Sequence, residues 1–207
     1  MTGWLNRVLL IICGTLIFSV PQADCATSPL DQVRTAVDQV IEVLRQDELQ
    51  GETRRKVLSE LIRSRFDFYI MSQRTLGQHW KQATTEEQAE FVSLFSDLLE
   101  ASYIGRIEAY TDETVAYHSE KIDGSRAVVA TVVRSNNAEI PIDYRMVKQG
   151  NDWFVYDVLV EDISLIKNYR STYGEIVRKE GYAGLFERMR KKITELQDQP
   201  AADGGKT

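Results

Sequence analysis

The sequence predicts an α+β domain: N-terminal helices, a four-stranded antiparallel meander, then C-terminal helices. Three observations carry this. Apolar residues recur at helical spacing as far as residue 110. The period changes to two between Thr114 and Val160 and returns to helical after Glu161. The strands are joined by short turn-forming pairs, which force consecutive antiparallel pairing. Helices grouped before and after strands, rather than alternating with them, make an α+β domain. A curved sheet and the helices on it can shelter an apolar pocket between them.

The first 26 residues stand apart. Arg7 supplies a positive charge, and Val8 to Val20 is a purely apolar run save for its small residues. That run is shorter than the roughly 20 residues a spanning helix needs. Pro21 and the small residues Ala23 and Ala26 follow it. The pattern is that of a secretory signal peptide, residues 1–26, cleaved near Ala23 to Ala26. Neither Cys13 nor Cys25 is preceded by the small residue that a lipoprotein signal places there. Cleavage after Ala26 leaves a chain without cysteine, so neither a disulfide framework nor a cysteine metal site is available to it. Such a chain fits a bacterial periplasm, and its stability must come from a core.

The domain is expected over 27–195. Pro29 suits the first turn of a helix reaching Leu44, with Val33, Val37, Val40 and Ile41 on one face. Gly51 marks a break. Val57, Leu58, Leu61, Ile62 and the segment 65–68 give a second helix, and 70–76 a third that Gly77 closes. Thr85 to Gln88 reads as a capping box, with Thr84 to Glu87 as the alternative register. The long helix it opens carries Phe91, Leu94, Phe95, Leu98, Leu99, Tyr103, Ile104 and Ile107 as one stripe. Gly105 weakens that helix and permits a bend or a close contact.

Strands are expected at 113–121, 125–134, 138–148 and 152–160, with turns at Asp123-Gly124, Asn136-Asn137 and Gly150-Asn151. Pro141 implies a bulge or an edge in the third strand. Simple alternation places Trp153, Val155 and Leu159 on one face of the last strand and Phe154, Tyr156, Val158 and Val160 on the other. Both faces are apolar, so both must be covered. Glu161-Asp162 reads as the cap of the next helix. Gly174, Gly181 and Gly184 read as helix ends and turns. The tail, 196–207, is expected to be disordered.

The chain has 207 residues, 43% of them hydrophobic and 27% charged, with net charge −6. This describes a soluble body with enough apolar material for a core. The acidic balance, with a pI of about 5.1, argues against nucleic-acid binding, which needs a basic field. His79 and His118 lack metal-ligand spacing, and there is no nucleophile elbow, phosphate loop or dinucleotide fingerprint. Asp157 lies in an otherwise apolar strand. It can be a buried base in a small enzyme, or a carboxylate paired with an arginine or a backbone amide. The frequent aromatic residues in the helices are core, or, as a group, the lining of a space for acyl chains, where each buried CH₂ is worth ~0.8 kcal/mol.

Two stretches carry a resemblance. One runs from "FDFYIMSQRTLGQHW" to Tyr110; the other is "YDVLVEDISLIKNYRSTYGEIVRKEGYAGLFERMRKK", 156–192. The specific pieces are Leu76-Gly77 with Trp80, Ala83-Thr84, Tyr156-Asp157-Val158, Ser164 with Tyr169-Arg170, and Gly181 to Leu185. In order and spacing the chain resembles the MlaC-type periplasmic phospholipid carriers, the toluene-tolerance auxiliary family, over about 28–195. One position departs: where that family usually has glycine after the last strand, this chain has Asp162.

The resemblance implies a monomeric, non-enzymatic periplasmic carrier without cofactor, whose cargo is a glycerophospholipid. It further implies as partners an inner-membrane ABC transporter with an MCE-domain component and an outer-membrane lipoprotein–porin complex, in a pathway that maintains outer-membrane asymmetry. The lining expected from amphipathic position is Phe68, Leu76, Phe91, Phe95, Leu98, Tyr103, Tyr144, Tyr156, Val158 and Tyr169. Arg170 is expected either at the pocket mouth, against the phosphate, or in a surface ion pair. Two rivals stand beside this: an α+β enzyme with Asp157 as base, and a periplasmic chaperone-like module that binds protein in an apolar groove.

Overall fold

The computed structural model describes residues 27–109, 113–135 and 138–198. The expected signal peptide, the Asn136-Asn137 turn and the tail from 199 lie outside the described residues. Helix α1 (Pro29–Arg45) starts as its residues dictate: the Ser28 hydroxyl accepts from the Asp31 amide at 3.1 Å, and Pro29 occupies the first turn. Its buried Gln32 donates to Asp152 at 2.9 Å and accepts from the Trp153 amide at 2.7 Å, pinning α1 to the sheet.

Helix α2 (Gly51–Arg63) is shorter than expected. The segment 65–68 does not extend it, because 65–67 docks on a strand. The Val155 amide donates to the Arg65 carbonyl at 2.9 Å, and the Asp67 amide donates to the Val155 carbonyl at 2.8 Å. Asp67 then caps α3 (Phe68–Leu76), accepting from the Ile70 amide at 2.7 Å. Gly77, at φ 58°, closes that helix and begins a 3₁₀ turn (Gly77–Lys81). Helix α4 (Thr85–Glu108) uses the Thr84 register of the capping box, with both reciprocal bonds formed. A Cβ on Gly105 would meet nothing within 4 Å, so close contact does not explain that glycine.

The sheet has five strands, in the order β1 (Thr114–Asp123), β2 (Arg126–Ser135), β3 (Ala138–Gln149), β4 (Asp152–Val160) and β5 (Ile163–Ser164). The expectation of four missed β5, a two-residue strand too short to show a period. Pro141 is not bulged; the β3–β4 ladder begins at Ile142, and on that side Pro141 only accepts, from the Glu161 amide at 3.0 Å, where its missing N–H is not needed. Glu161 and Asp162 do not cap the next helix. Both have positive φ, 50° and 65°, and form the tight hairpin turn between Val160 and Ile163. The cap is Ser164, whose hydroxyl accepts from the Lys167 amide at 3.1 Å.

Helix α5 (Leu165–Gln197) continues past 195, where the domain was expected to end, and breaks at Gly181 (φ 70°, ψ −174°). In a straight helix Asn168 and Lys192 would stand about 36 Å apart. Here both line one cleft, so the arm 182–197 folds back along the arm 165–180. Of the three glycines expected at helix ends, Gly181 makes a turn, whereas Gly174 and Gly184 sit inside the arms.

Two apolar clusters result. One joins α1 to a sheet face: Val33, Ala127, Val129, Met146, Trp153, Val155 and Val158. The other joins α3, α4 and both arms of α5, and meets the sheet at Tyr156 and Val147. This resolves the two apolar faces of β4, and it corrects the simple alternation. Arg145 pairs with Asp157 and Met146 with Val155, so Tyr156 is the extra residue of a β-bulge. The bulge shifts the phase, and Val158 and Val160 join the cluster of Trp153 and Val155 instead of facing the other way.

Candidate functional site

The candidate site grows from the register of two helices. Phe91 and Phe95 lie four residues apart on α4, as do Tyr169 and Tyr173 on α5, which puts each pair on one helix face. The four rings meet. Phe91 and Phe95 stack at 5.5 Å between centroids, Phe95 meets Tyr169 edge-on at 5.3 Å, and Phe91 meets Tyr173 edge-on at 5.9 Å. Such offset and T-shaped contacts are each worth about 0.5–1.5 kcal/mol beyond area burial.

Among the expected lining residues, Phe68, Leu76, Phe91, Phe95, Leu98, Tyr103, Tyr156 and Tyr169 come together in the helical cluster. Val158 and Tyr144 do not; they belong to the cluster beneath α1. Among the described residues the expected apolar pocket between sheet and helices is not found. Interlocking side chains occupy that interface, because Tyr156, Leu76, Trp80 and Ile166 are all buried in one contiguous cluster.

Among the described residues two clefts open on the helical side, and neither is lined by a sheet residue. One, of about 230 Å³, lies between α4 and the arms of α5. Leu98, Tyr169, Tyr173 and Met189 are its apolar members, and Ser102, Asn168, Thr172, Arg188 and Lys192 its polar ones. The other, of about 550 Å³, is more polar and runs from Leu76 and His79 to Arg170, Gly174 and Arg178. Sequence reasoning missed Tyr173, Met189, Arg188 and Lys192. The i, i+4 repeat of Tyr169 was the available signal for Tyr173; nothing local marks the others.

Among the described residues Arg170 makes no ion pair. Its Nε donates to the Arg74 carbonyl at 2.6 Å and its Nη2 bonds the same oxygen, so it caps the C-terminal end of α3. Arg74 in turn lies over the Tyr156 ring, 4.3 Å from its centroid.

Asp157, 3% exposed, is fully engaged. It accepts from Arg145 Nη1 at 3.1 Å, from the Ser164 hydroxyl at 2.7 Å and from the Ile166 amide at 3.2 Å. The carboxylate therefore sits at the N-terminal end of α5, where negative charge is favoured. Its oxygens serve structure. Burial pushes the phenols of Tyr103, Tyr144, Tyr173 and Tyr182 above their ordinary value. They keep their protons at neutral pH and do not act as bases, and Tyr182 donates to the His79 carbonyl at 2.6 Å. Among the described residues no group of three or more His, Cys, Asp or Glu is placed to hold a metal, and no helix is long and apolar enough to cross a membrane.

Comparison with known proteins follows the same outline. The family model described as MlaC protein matches residues 34–191. The Intermembrane phospholipid transport system binding protein MlaC of Haemophilus influenzae is 19% identical over 93% of this chain and 94% of its own. The Toluene tolerance protein ttg2D of Pseudomonas putida is 27% identical over 49% of this chain and 48% of its own. A phospholipid-binding protein from Ralstonia solanacearum, solved in complex with a phospholipid, superposes with a TM-score of 0.77 at 28% identity. That likeness covers 83% of this chain and the whole of the Ralstonia chain. With more than half its length matched by the family model, and the fold shared across it, the chain belongs to the MlaC family.

Proposed function

We propose that this protein is a monomeric periplasmic phospholipid carrier and not an enzyme. It takes glycerophospholipid between an outer-membrane lipoprotein–porin complex and an inner-membrane ABC transporter bearing an MCE-domain component, and so maintains outer-membrane lipid asymmetry. The observation that carries the reading is the likeness to the Ralstonia protein, which spans that whole chain and was solved with a phospholipid bound. The Haemophilus relative's name, that of an intermembrane transport component, supports the pathway.

The mechanism is sequestration. A lipid tail in water is costly at ~0.8 kcal/mol per CH₂, and a dry apolar lining removes that cost. The lining we assign is the helical cluster: Phe68, Leu76, Phe91, Phe95, Leu98, Tyr103, Tyr156 and Tyr169. The cleft of about 230 Å³ is smaller than the ~300–1,000 Å³ of sites that enclose whole drug-sized ligands. Two acyl chains therefore enter only as α4 and the arms of α5 part, replacing ring–ring contacts with ring–chain contacts. Tyr144 and Val158 stiffen the sheet behind this lining, and Arg170 holds α3 against α5. Release needs a conformational bias supplied by a partner, since a ligand moves only when another interaction favours the open state.

The test is mass spectrometry of the organic extract of the purified protein, paired with uptake from phosphatidylglycerol–phosphatidylethanolamine vesicles. Phospholipid near one molecule per chain is the expected result. Protein that is lipid-free and accepts none from vesicles overturns the reading.

A further inference from the structure

The arm 182–197 of α5 is held by contacts of a particular kind. Tyr182 donates to the His79 carbonyl at 2.6 Å, and Arg190 pairs with Glu90 of α4. Across the Gly181 turn, Arg188 makes a bidentate pair with Glu180: Nε to Oε2 at 2.8 Å and Nη2 to Oε1 at 2.7 Å. The turn is tight, and a Cβ on Gly184 would lie 2.5 Å from the Glu180 Cβ. Of the Glu180–Arg188 pair, Arg188 lines the α4–α5 cleft. Lys192, one turn further on, lines the same cleft and pairs only loosely with Glu195, at 3.5 Å.

The cleft has the chemistry of an amphiphile split in two. Its floor is Leu98, Tyr169, Tyr173 and Met189; its rim offers two cations with the neutral donors Asn168 and Thr172, while the Ser102 hydroxyl already donates to the Leu98 carbonyl at 2.7 Å. At about 230 Å³ it suits a glycerophosphate head and the start of a chain. The Arg188 side chain is 60% exposed and its carboxylate partner 36%. Exposed pairs of this kind hold weakly, whereas arginine binds phosphate through the same bidentate geometry.

We propose that Arg188 and Lys192 form the phosphate seat of a glycerophospholipid whose chains pass between α4 and α5, and that Glu180 and the lipid phosphate are alternative partners of Arg188. This rests on the carrier reading and adds to it a head-group contact. Exchange of partners also couples cargo to the fold, because the pair that yields to phosphate is one that fastens the arm across Gly181.

The experiment compares equilibrium uptake of fluorescent phosphatidylglycerol and of fluorescent diacylglycerol, which lacks the phosphate. Wild type, Arg188→Gln with Lys192→Gln, and Glu180→Gln are tested, each checked for native circular dichroism. The double variant is expected to bind phosphatidylglycerol about five- to tenfold more weakly with diacylglycerol unchanged, as loss of a charge-assisted contact predicts. Glu180→Gln is expected to tighten phosphatidylglycerol about two- to threefold, by removing a competitor of modest strength. Excess inorganic phosphate at constant ionic strength leaves lipid uptake unchanged if the seat serves the lipid; displacement by it would identify a free-phosphate site and overturn the assignment. Equal phosphatidylglycerol uptake by the double variant and wild type overturns it, as does equal loss of both lipids. If wild type takes up neither lipid, the carrier reading itself falls.

Discussion

Replacing Asp157 by asparagine separates the structural role of this carboxylate from a catalytic one. Three donors converge on it: Arg145 Nη1 at 3.1 Å, the Ser164 hydroxyl at 2.7 Å and the Ile166 amide at 3.2 Å. Breaking a buried ion pair costs about 3–5 kcal/mol, and a hydrogen bond to a charged group contributes about 1.5–3 kcal/mol. Two features reduce the sum. The Arg145 side chain is 34% exposed and regains water, and the asparagine oxygen still accepts one of the three donors. A loss of about 2–4 kcal/mol follows. At roughly 2–4 °C per kcal/mol for a domain of this size, the melting temperature should fall by roughly 5–15 °C. Thermal unfolding followed by circular dichroism reads this directly. Ser164→Ala should cost about 1 kcal/mol as a lost cap. The double variant should cost less than the two singles together, since Ser164 and Asp157 share a bond. An Asp157→Asn protein that melts with wild type yet loses phospholipid uptake, or loses turnover of some small substrate, would refute this reasoning and restore the carboxylate as a functional group.

Other expectations use the same measurement. Gly105→Ala should stabilise α4 by about 1 kcal/mol, the helix-propensity difference, since its Cβ enters open space; an unchanged or lower melting temperature counts against this. Asp162→Gly should raise stability by about 1 kcal/mol, because a left-handed position costs a residue with a Cβ about that much and Asp162 has φ 65°. Gly77→Ala should cost about 1–3 kcal/mol at its unusual backbone angles, and its Cβ would stand 3.4 Å from Arg170 Nε. Stability should hold from neutral pH to about pH 9 and fall above about pH 10. Tyr103, Tyr144, Tyr173 and Tyr182 have raised values when folded. Above the ordinary phenol value the unfolded chain therefore loses protons the folded chain keeps, and unfolding is favoured. Urea midpoints unchanged between pH 8 and pH 11 would contradict it.

Periodicity made the fold legible where elements were long enough to repeat. The α4 stripe from Phe91 to Ile107 and the strands from Thr114 to Val160 both showed their period. It failed at 65–68, where helical spacing continued but backbone bonds to Val155 were available and took the chain to the sheet. It failed again at Glu161-Asp162, where acidic residues before a helix looked like a cap. The turn instead needed two residues with positive φ, a property that composition reveals only when glycine supplies it.

The candidate site shows a deeper limit. Amphipathic position identifies a side chain that will be buried but not the cluster it will join. Tyr156 and Val158 stood on the same face by simple counting. The single-residue bulge at Tyr156 sends them to different clusters, one facing the helices and one facing α1. The turn at Gly181 was legible as one of three glycines read as helix ends, but composition does not say that the second arm folds back along the first. Its consequence is spatial: Arg188 and Lys192, far along the chain from Leu98 and Tyr169, become the charged edge of the same apolar cleft. A carrier of amphiphiles needs both chemistries at one place. Here one glycine with φ 70° brings them together, and the cations of this cleft are set by that turn rather than by any local motif.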